Sequence, residues 1–334
     1  MNASTSLSPL ESHIASVIAS RRDAMIRDLR ELVEIPTGPG GSAGLATTRE
    51  WFSRRLAALG ATLETVPGDA RPAWLGADAA DPPPPTLIAR GPGSTSGKRV
   101  LLAGHLDTVH PSAGSFKHLE IQGDRALGPG VVDMKGGLVL ALHVLEVLTQ
   151  LQAAPPWGFV LNADEETGSF ASDATLRRVA REFDFGIALE PAMANGGLVT
   201  HRPGSGQFML EVRGRAAHVG RDFAAGISAV NALAACITRI AALPDATRGI
   251  IASIGPISGG HATNVVPDLA HAWGNIRFPT PDIGQELAAK LSGLATPQPL
   301  DAALAKGQPH ITVHIALNRP AKPLLPGTQT LAAI

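Results

Sequence analysis

Residues 99–107 read Arg-Val-Leu-Leu-Ala-Gly-His-Leu-Asp, an apolar run that breaks off into a histidine and an aspartate. A run of this length suits a buried strand, and alternation puts His105 and Asp107 on the same side of it. Two further runs end the same way: Phe159–Ala163 leads into Asp164-Glu165-Glu166, and Gly186–Leu189 into Glu190-Pro191. Another run, Thr86–Ala89, precedes them, and a long apolar helix is predicted over Lys135–Gln150. Strands alternating with helices predict an α/β sheet. Ligands of open α/β sheets bind at the carboxyl ends of the strands, so the three polar tips are expected in one crevice. So many acidic groups would repel one another there, and a bound cation is the economical remedy.

Between the first two tips lies Gly128-Pro-Gly-Val-Val-Asp133-Met-Lys-Gly-Gly137, a glycine-rich loop that sets Asp133 just before the predicted helix. A carboxylate there faces unsatisfied helix N–H groups and stays ionised, and its two oxygens could serve two metals. His105 adds an imidazole, whose ring Asp107 can hold by a hydrogen bond. Each fragment alone has a plainer meaning. His-x-Asp pairs are mostly surface pairs, and Asp-Glu-Glu is mostly a solvated strand end. Their joint placement at strand ends carries the argument.

Composition narrows the chemistry. The 334 residues suit about two domains at roughly 150 residues each. A 44% hydrophobic and 17% charged chain with 36 Gly and 27 Pro reads as globular and loop-rich. A net charge of −1 argues against nucleic acid or an anionic membrane as partner. The single Cys236 excludes an internal disulfide and a cysteine-built zinc site, and reads as a small core residue; with no tyrosine, His and carboxylates are left as the reactive pool. Met1–Pro9 lacks a basic segment followed by an apolar core, and no stretch approaches the ~20 apolar residues of a membrane span, so a cytoplasmic location is expected. Gly91–Lys98 is out of register for a phosphate loop and precedes a strand, and neither Gly-x-Ser-x-Gly nor His-Glu-x-x-His occurs.

Helical spacing runs from Ile14 to Leu32 until Ile35-Pro36, and again from Thr47 to Leu59; Asp78–Pro85, with four prolines, is a loop. The character changes over Met193–Gly206, rich in Gly, Asn and Pro. Beyond it the pattern predicts a strand at Gln207–Arg213, a helix at Gly226–Leu243, strands at Ile250–Ile254 and Ala270–Phe278, and a helix at Ile283–Leu291, a smaller inserted α+β domain. Ile311–Leu317 is strand-like and is where the chain could return to the first domain. The expected division is therefore 1–200, 201–312 and an incomplete return over 313–334.

Leu102-Ala-Gly-His-Leu-Asp-Thr-Val109, Gly128–Gly137, Asn162-Ala-Asp-Glu-Glu-Thr-Gly-Ser169, Leu189-Glu-Pro191 and Arg213-Gly-Arg-Ala-Ala-His-Val-Gly220 together resemble the M20 metallopeptidases, mainly the carboxypeptidase G2-type branch. The resemblance runs in order from about residue 25 to the C-terminus. It implies a zinc-peptidase-like catalytic domain, a mixed sheet flanked by helices, with an inserted α+β dimerisation or lid domain. It further implies two zinc ions, cobalt being an alternative. Asp133 would bridge them, His105 and Glu190 would complete one and Glu166 would serve the other. Glu165 would be the general base and Asp107 the partner of His105. His218 would reach a partner protomer's site to help hold the oxyanion, and Asn264 and Arg277 would bind the substrate's free carboxylate. The implied activity is hydrolysis of an amide bond beside a free carboxylate, in a small peptide or an N-acyl amino acid, by a homodimer.

The family pattern continues past the returning strand with a Gly-Gly-x-Ser-Asp-type loop and a histidine that ligates the second zinc. Neither is found before Ile334, and His310 and His314 do not occupy the ligand position. A fragment or a shortened reading frame is therefore expected. Two alternatives follow from the same residues: an N-acyl amino acid deacylase, including one acting on a biosynthetic intermediate, and a catalytically silent homologue that keeps the dimerising domain.

Overall fold

The computed structural model describes residues 7–75, 82–92 and 97–332 of the chain. They fall into two compact units, Met1–Pro72 with Ala77–Gly197, and Ala73–Gly76 with Leu198–Ile334. Gly76, Asp78–Asp81 of the proline-rich loop and 93–96 of the rejected phosphate-loop pattern lie outside the described residues.

The first unit opens with α1 (Pro9–Ser20), α2 (Arg22–Glu34), α3 (Ser42–Ala58) and β1 (Thr62–Val66). It continues with β2 (Thr86–Arg90), β3 (Val100–His105), β4 (Glu120–Gln122), β5 (Arg125–Leu127), α4 (Gly136–Gln150), β6 (Trp157–Asn162), α5 (Asp173–Ala180) and β7 (Phe185–Ala188). Five strands make one sheet in the order β1-β2-β6-β3-β7. The first two pairings are antiparallel, while β6-β3 and β3-β7 are parallel, so the sheet is mixed. Alternation along the strands sorts the core. Leu87, Ala89, Leu102, Phe159 and Leu161 pack with Leu32, Phe52, Leu56, Leu138 and Leu142 of the helices, while Ile88, Leu101 and Val160 pack with Val179 of α5. Each such fully buried Leu, Ile or Phe contributes about 1.5–3 kcal/mol.

The single predicted helix Ile14–Leu32 is two. Ser8 and Glu11 form a capping box that starts α1. The helix breaks at Arg21, whose guanidinium is drawn onto Glu146 at 2.7 Å and Gln150 at 2.9 Å of α4. The helix predicted from Thr47 begins at Ser42.

The second unit holds β8 (Gly204–Arg213), α6 (Ala229–Ala241), β9 (Ile251–Gly259), β10 (Leu269–Phe278), α7 (Pro281–Ser292), α8 (Leu300–Ala305), β11 (His310–Arg319) and α9 (Pro326–Ala332). Its antiparallel sheet runs β11-β8-β10-β9. Phe208, Leu210, Val212, Ala270, Ala272 and Ile276 meet Leu233, Cys236 and Ile240 of α6 and Leu287 and Leu291 of α7. A short turn over Ala73–Leu75 belongs to this unit: Trp273 Nε1 donates to the Trp74 carbonyl at 2.6 Å, and Trp74 stacks on His314.

The expected return to the first domain over 313–334 is corrected. Val313 pairs with Leu210 and Ile311 with Val212, so β11 extends the second sheet. Paired there, its alternating Ile311, Val313, Ile315 and Leu317 pack against the core of this unit. Among the described residues no helix is long and apolar enough to cross a membrane.

Candidate metal centre

The parallel trio β6-β3-β7 sets the site. In register His105 stands opposite Asn162, and Ala103 opposite Ala188, so Glu190, two residues beyond Ala188, comes level with His105. Gly104 leaves room for this strand tip, because a Cβ there would fall 2.8 Å from the Met134 methyl and closer still to Leu138. The buried His105 ring places Nε2 3.0 Å from Asp133 Oδ1 and 3.7 Å from Glu190 Oε1. Ligand atoms of His105, Asp133 and Glu190 all lie within 4.8 Å of one another.

On the ring's other side, Nδ1 lies 2.9 Å from the Asp107 carbonyl oxygen and 3.3 Å from Asp107 Oδ1. The Asp107 carboxylate is itself clamped: Oδ1 accepts the Glu165 N–H at 3.2 Å and Oδ2 the Glu166 N–H at 2.9 Å. Burial alone would lower the pKa of His105, but Asp107 and Glu190 outweigh it and push the imidazole up to about 11. Burial raises the Glu166 carboxyl above the usual range, and the charges of Asp133, Asp107 and Glu165 add to the rise, partly opposed by His105. This combination suits a divalent cation: imidazole and carboxylate oxygens are its donors, and its charge relieves the mutual repulsion that lifts Glu166.

Asp133 sits in the loop ahead of α4, where Gly130 takes a left-handed φ of 70° beside Thr108. Two residues on, Lys135 is buried and donates from Nζ to the carbonyls of Leu32 at 2.8 Å and Ile35 at 2.9 Å, tying this loop to the end of α2; burial lowers its pKa to about 8. Sequence reading missed this lysine, since nothing in its neighbours signals burial.

Asp164 also differs from the simple picture of a solvated acidic tip. It is buried, and its carboxylate turns away to accept from Asn162 Nδ2 at 3.2 Å, Ala171 N at 2.7 Å and Ser172 N at 3.2 Å. The acidic triplet therefore splits, with Asp164 folded inward and Glu165 and Glu166 held by their backbone on Asp107.

The remaining three residues lie in the second unit. His218 is exposed, bridges Val265 and accepts the Gly220 N–H on Nδ1 at 3.1 Å. The carbonyl of Asn264 accepts the Val219 N–H at 2.9 Å, so His218 and Asn264 are neighbours. Arg277 is exposed near the far end of β10, opposite Ile251 and Ser205. At about 3.4 Å per residue it stands roughly 27 Å along the strand from Leu269, so this unit by itself does not bring Arg277 to Asn264.

Comparison with known proteins fits this division. Residues 200–300 match the M20 peptidase dimerisation domain, and residues 86–218 match peptidase family M28. Carboxypeptidase G2 of Pseudomonas sp. (strain RS-16) is 28% identical over 76% of this chain and 60% of its own length. A putative succinyl-diaminopimelate desuccinylase DapE of Mycobacterium tuberculosis is 34% identical over 54% of this chain and 52% of its own. The chain thus spans between half and two thirds of the length of these relatives. Among solved structures, the M20 family metallo-carboxypeptidase Sso-CP2 from Sulfolobus solfataricus shares the fold with a TM-score of 0.60 at 13% identity, covering 87% of this chain and 77% of that one. The dimerisation-domain match, these relatives and the shared fold make the chain similar to the M20 family of metallopeptidases.

Proposed function

We propose that this chain carries the hydrolytic site of a metal-dependent amidohydrolase that cleaves an amide bond beside a free carboxylate, in the manner of a glutamate carboxypeptidase. The observation that carries the reading is the convergence of His105, Asp133 and Glu190 within 4.8 Å, with Asp107 bonded behind the histidine. His105, Asp133 and Glu190 would hold one cation, and Asp133 with Glu166 a second; zinc suits the donor set and cobalt is the alternative. Bound there, such a cation supplies a Lewis acid that polarises the scissile carbonyl and acidifies a water.

The chain's own groups do the rest. Asp107 fixes the ring and tautomer of His105. Glu165, whose backbone is tied to that same carboxylate, takes a proton from the attacking water and returns it to the leaving amine nitrogen. His218, held beside Asn264, helps stabilise the oxyanion from the partner protomer of a homodimer built on the dimerisation domain. Arg277 offers its planar fork to the free carboxylate, with Asn264 assisting from the partner protomer alongside His218. A small peptide releasing its C-terminal residue is the substrate class favoured by the carboxypeptidase relatives. An N-acyl amino acid is the second reading, favoured by the desuccinylase relative.

The test is hydrolysis of C-terminal glutamyl dipeptides and N-acyl amino acids with Zn²⁺ supplied. Turnover that a chelator abolishes and Zn²⁺ restores is expected. Undiminished turnover in excess chelator would overturn the metal-dependent mechanism, and a chain that binds the metal without turnover would establish the silent alternative.

A further inference from the structure

The acidic triplet at the end of β6 contains one carboxylate that the mechanism above does not use. Asp164 is 5% exposed, yet its side chain meets donors on both oxygens: Asn162 Nδ2 at 3.2 Å on one, and the N–H groups of Ala171 at 2.7 Å and Ser172 at 3.2 Å on the other. Its own carbonyl accepts the Ser169 N–H at 2.7 Å and the Thr167 hydroxyl at 3.2 Å. Asn162 completes the clasp by donating to Ser172 Oγ at 3.1 Å. One buried residue thus closes the segment 164–172 on itself and anchors the entry to α5. The first two peptide N–H groups after it, those of Glu165 and Glu166, are the donors that occupy both oxygens of Asp107.

From this geometry we infer that Asp164 is a positioning residue: it locks the 164–172 segment so that the Glu165 and Glu166 N–H groups meet Asp107, and through Asp107 it fixes the orientation of His105. The inference rests on the metal-site reading above. It acts at one remove from the metal ligands, through backbone rather than by contact. The chemistry makes the requirement specific to a carboxylate. An asparagine has one acceptor oxygen and one NH₂ group. In one orientation its NH₂ faces the N–H groups of Ala171 and Ser172, and in the other it faces the NH₂ of Asn162. The first sets donor against donor, and the second forces the Asn162 amide to turn over and give up its bond to Ser172 Oγ, so the clasp is weakened either way.

The test compares wild type, Asp164→Asn and Val179→Ala, the last removing core volume from α5 without touching the clasp. Hydrogen exchange on the metal-free proteins reads the segment, and Zn²⁺ titration by calorimetry reads the site. For D164N the inference expects exchange over 164–172 to accelerate about tenfold or more while β6 stays protected, and Zn²⁺ affinity to fall by about 10- to 100-fold. V179A should lower Tm and leave Zn²⁺ affinity alone. Should D164N fail to fold, Ser172→Ala removes the hydroxyl from the same clasp and should shift both readouts in the same direction by less. Unchanged exchange and affinity in the clasp variant would overturn the inference, as would an equal loss of affinity in V179A. Wild-type protein that takes up no Zn²⁺ defeats the metal-site reading and the positioning role with it; equal binding by wild type and D164N defeats the positioning role alone.

Discussion

His105 Nε2 lies 3.0 Å from Asp133 Oδ1, although 28 residues of chain separate them. That contact joins the tip of β3 to the loop ahead of α4, and the expected behaviour of the site follows from it.

A proton and a cation compete for His105. With its imidazole raised to about 11, metal-free protein carries that proton at neutral pH and must release it on loading. Raising the pH therefore favours the loaded form, and Zn²⁺ affinity should climb roughly tenfold per pH unit between about pH 6 and 8. For folding of the metal-free chain, the sign is that of a raised basic group. The stabilisation is full below the ordinary value of 6.5 and is lost as pH rises through about 11. Calorimetry in buffers of different ionisation enthalpy counts the protons released, and release of none at pH 7 would contradict the account.

Replacing Asp107 by alanine removes the carboxylate 3.3 Å from His105 Nδ1, leaving the ring only the backbone carbonyl at 2.9 Å, and orphans two backbone donors. Zn²⁺ affinity should fall by about 10- to 100-fold, and unfolding free energy by about 1–3 kcal/mol, read by denaturant titration.

Glu165→Gln separates proton transfer from metal holding. Turnover should drop by about 10²- to 10⁴-fold while Zn²⁺ affinity stays within about threefold of wild type. A matching loss in both would assign Glu165 to the metal instead.

Gly104→Ala tests the strand tip. The added methyl meets Met134 and Leu138, and overpacking of this kind costs about 1–3 kcal/mol. Because His105 is the next residue, weaker Zn²⁺ binding should accompany the loss of stability. Unchanged melting and binding would show that the helix yields freely.

Arg55 bridges Asp28 at 2.9 Å and Glu146 at 2.6 Å in a half-buried network that also takes in His143 and Arg21. Arg55→Ala should destabilise the first unit by about 1–3 kcal/mol, reduced from a fully buried case by partial solvation, with Zn²⁺ binding untouched.

Much of this was legible in the sequence for physical reasons. Apolar runs of strand length ending in His105, Glu165-Glu166 and Glu190 read as strand tips, and a parallel trio brings such tips together. Less local features were not legible. The strand Thr62–Val66 is short and only partly buried, and Glu120–Gln122 is short and exposed, so they carry little alternation. The break at Arg21 coincides with side-chain bonds to acceptors on α4, more than a hundred residues away. The inward turn of Asp164 depends on donors seven and eight residues later, and from composition alone it is indistinguishable from its two acidic neighbours. The strand at Ile311–Leu317 was visible, but alternation names a buried face without naming the sheet that buries it.

The proposed chemistry stands on a divalent cation held by His105, Asp133 and Glu190. Zn²⁺ titration of the metal-free chain, alongside His105→Ala and Asp133→Ala with folding checked by circular dichroism, tests it most directly. Tight Zn²⁺ uptake is expected of wild type, with a loss of at least about 100-fold in affinity in each variant. Folded wild-type protein that takes up no Zn²⁺, or variants that bind it as well as wild type, would contradict it.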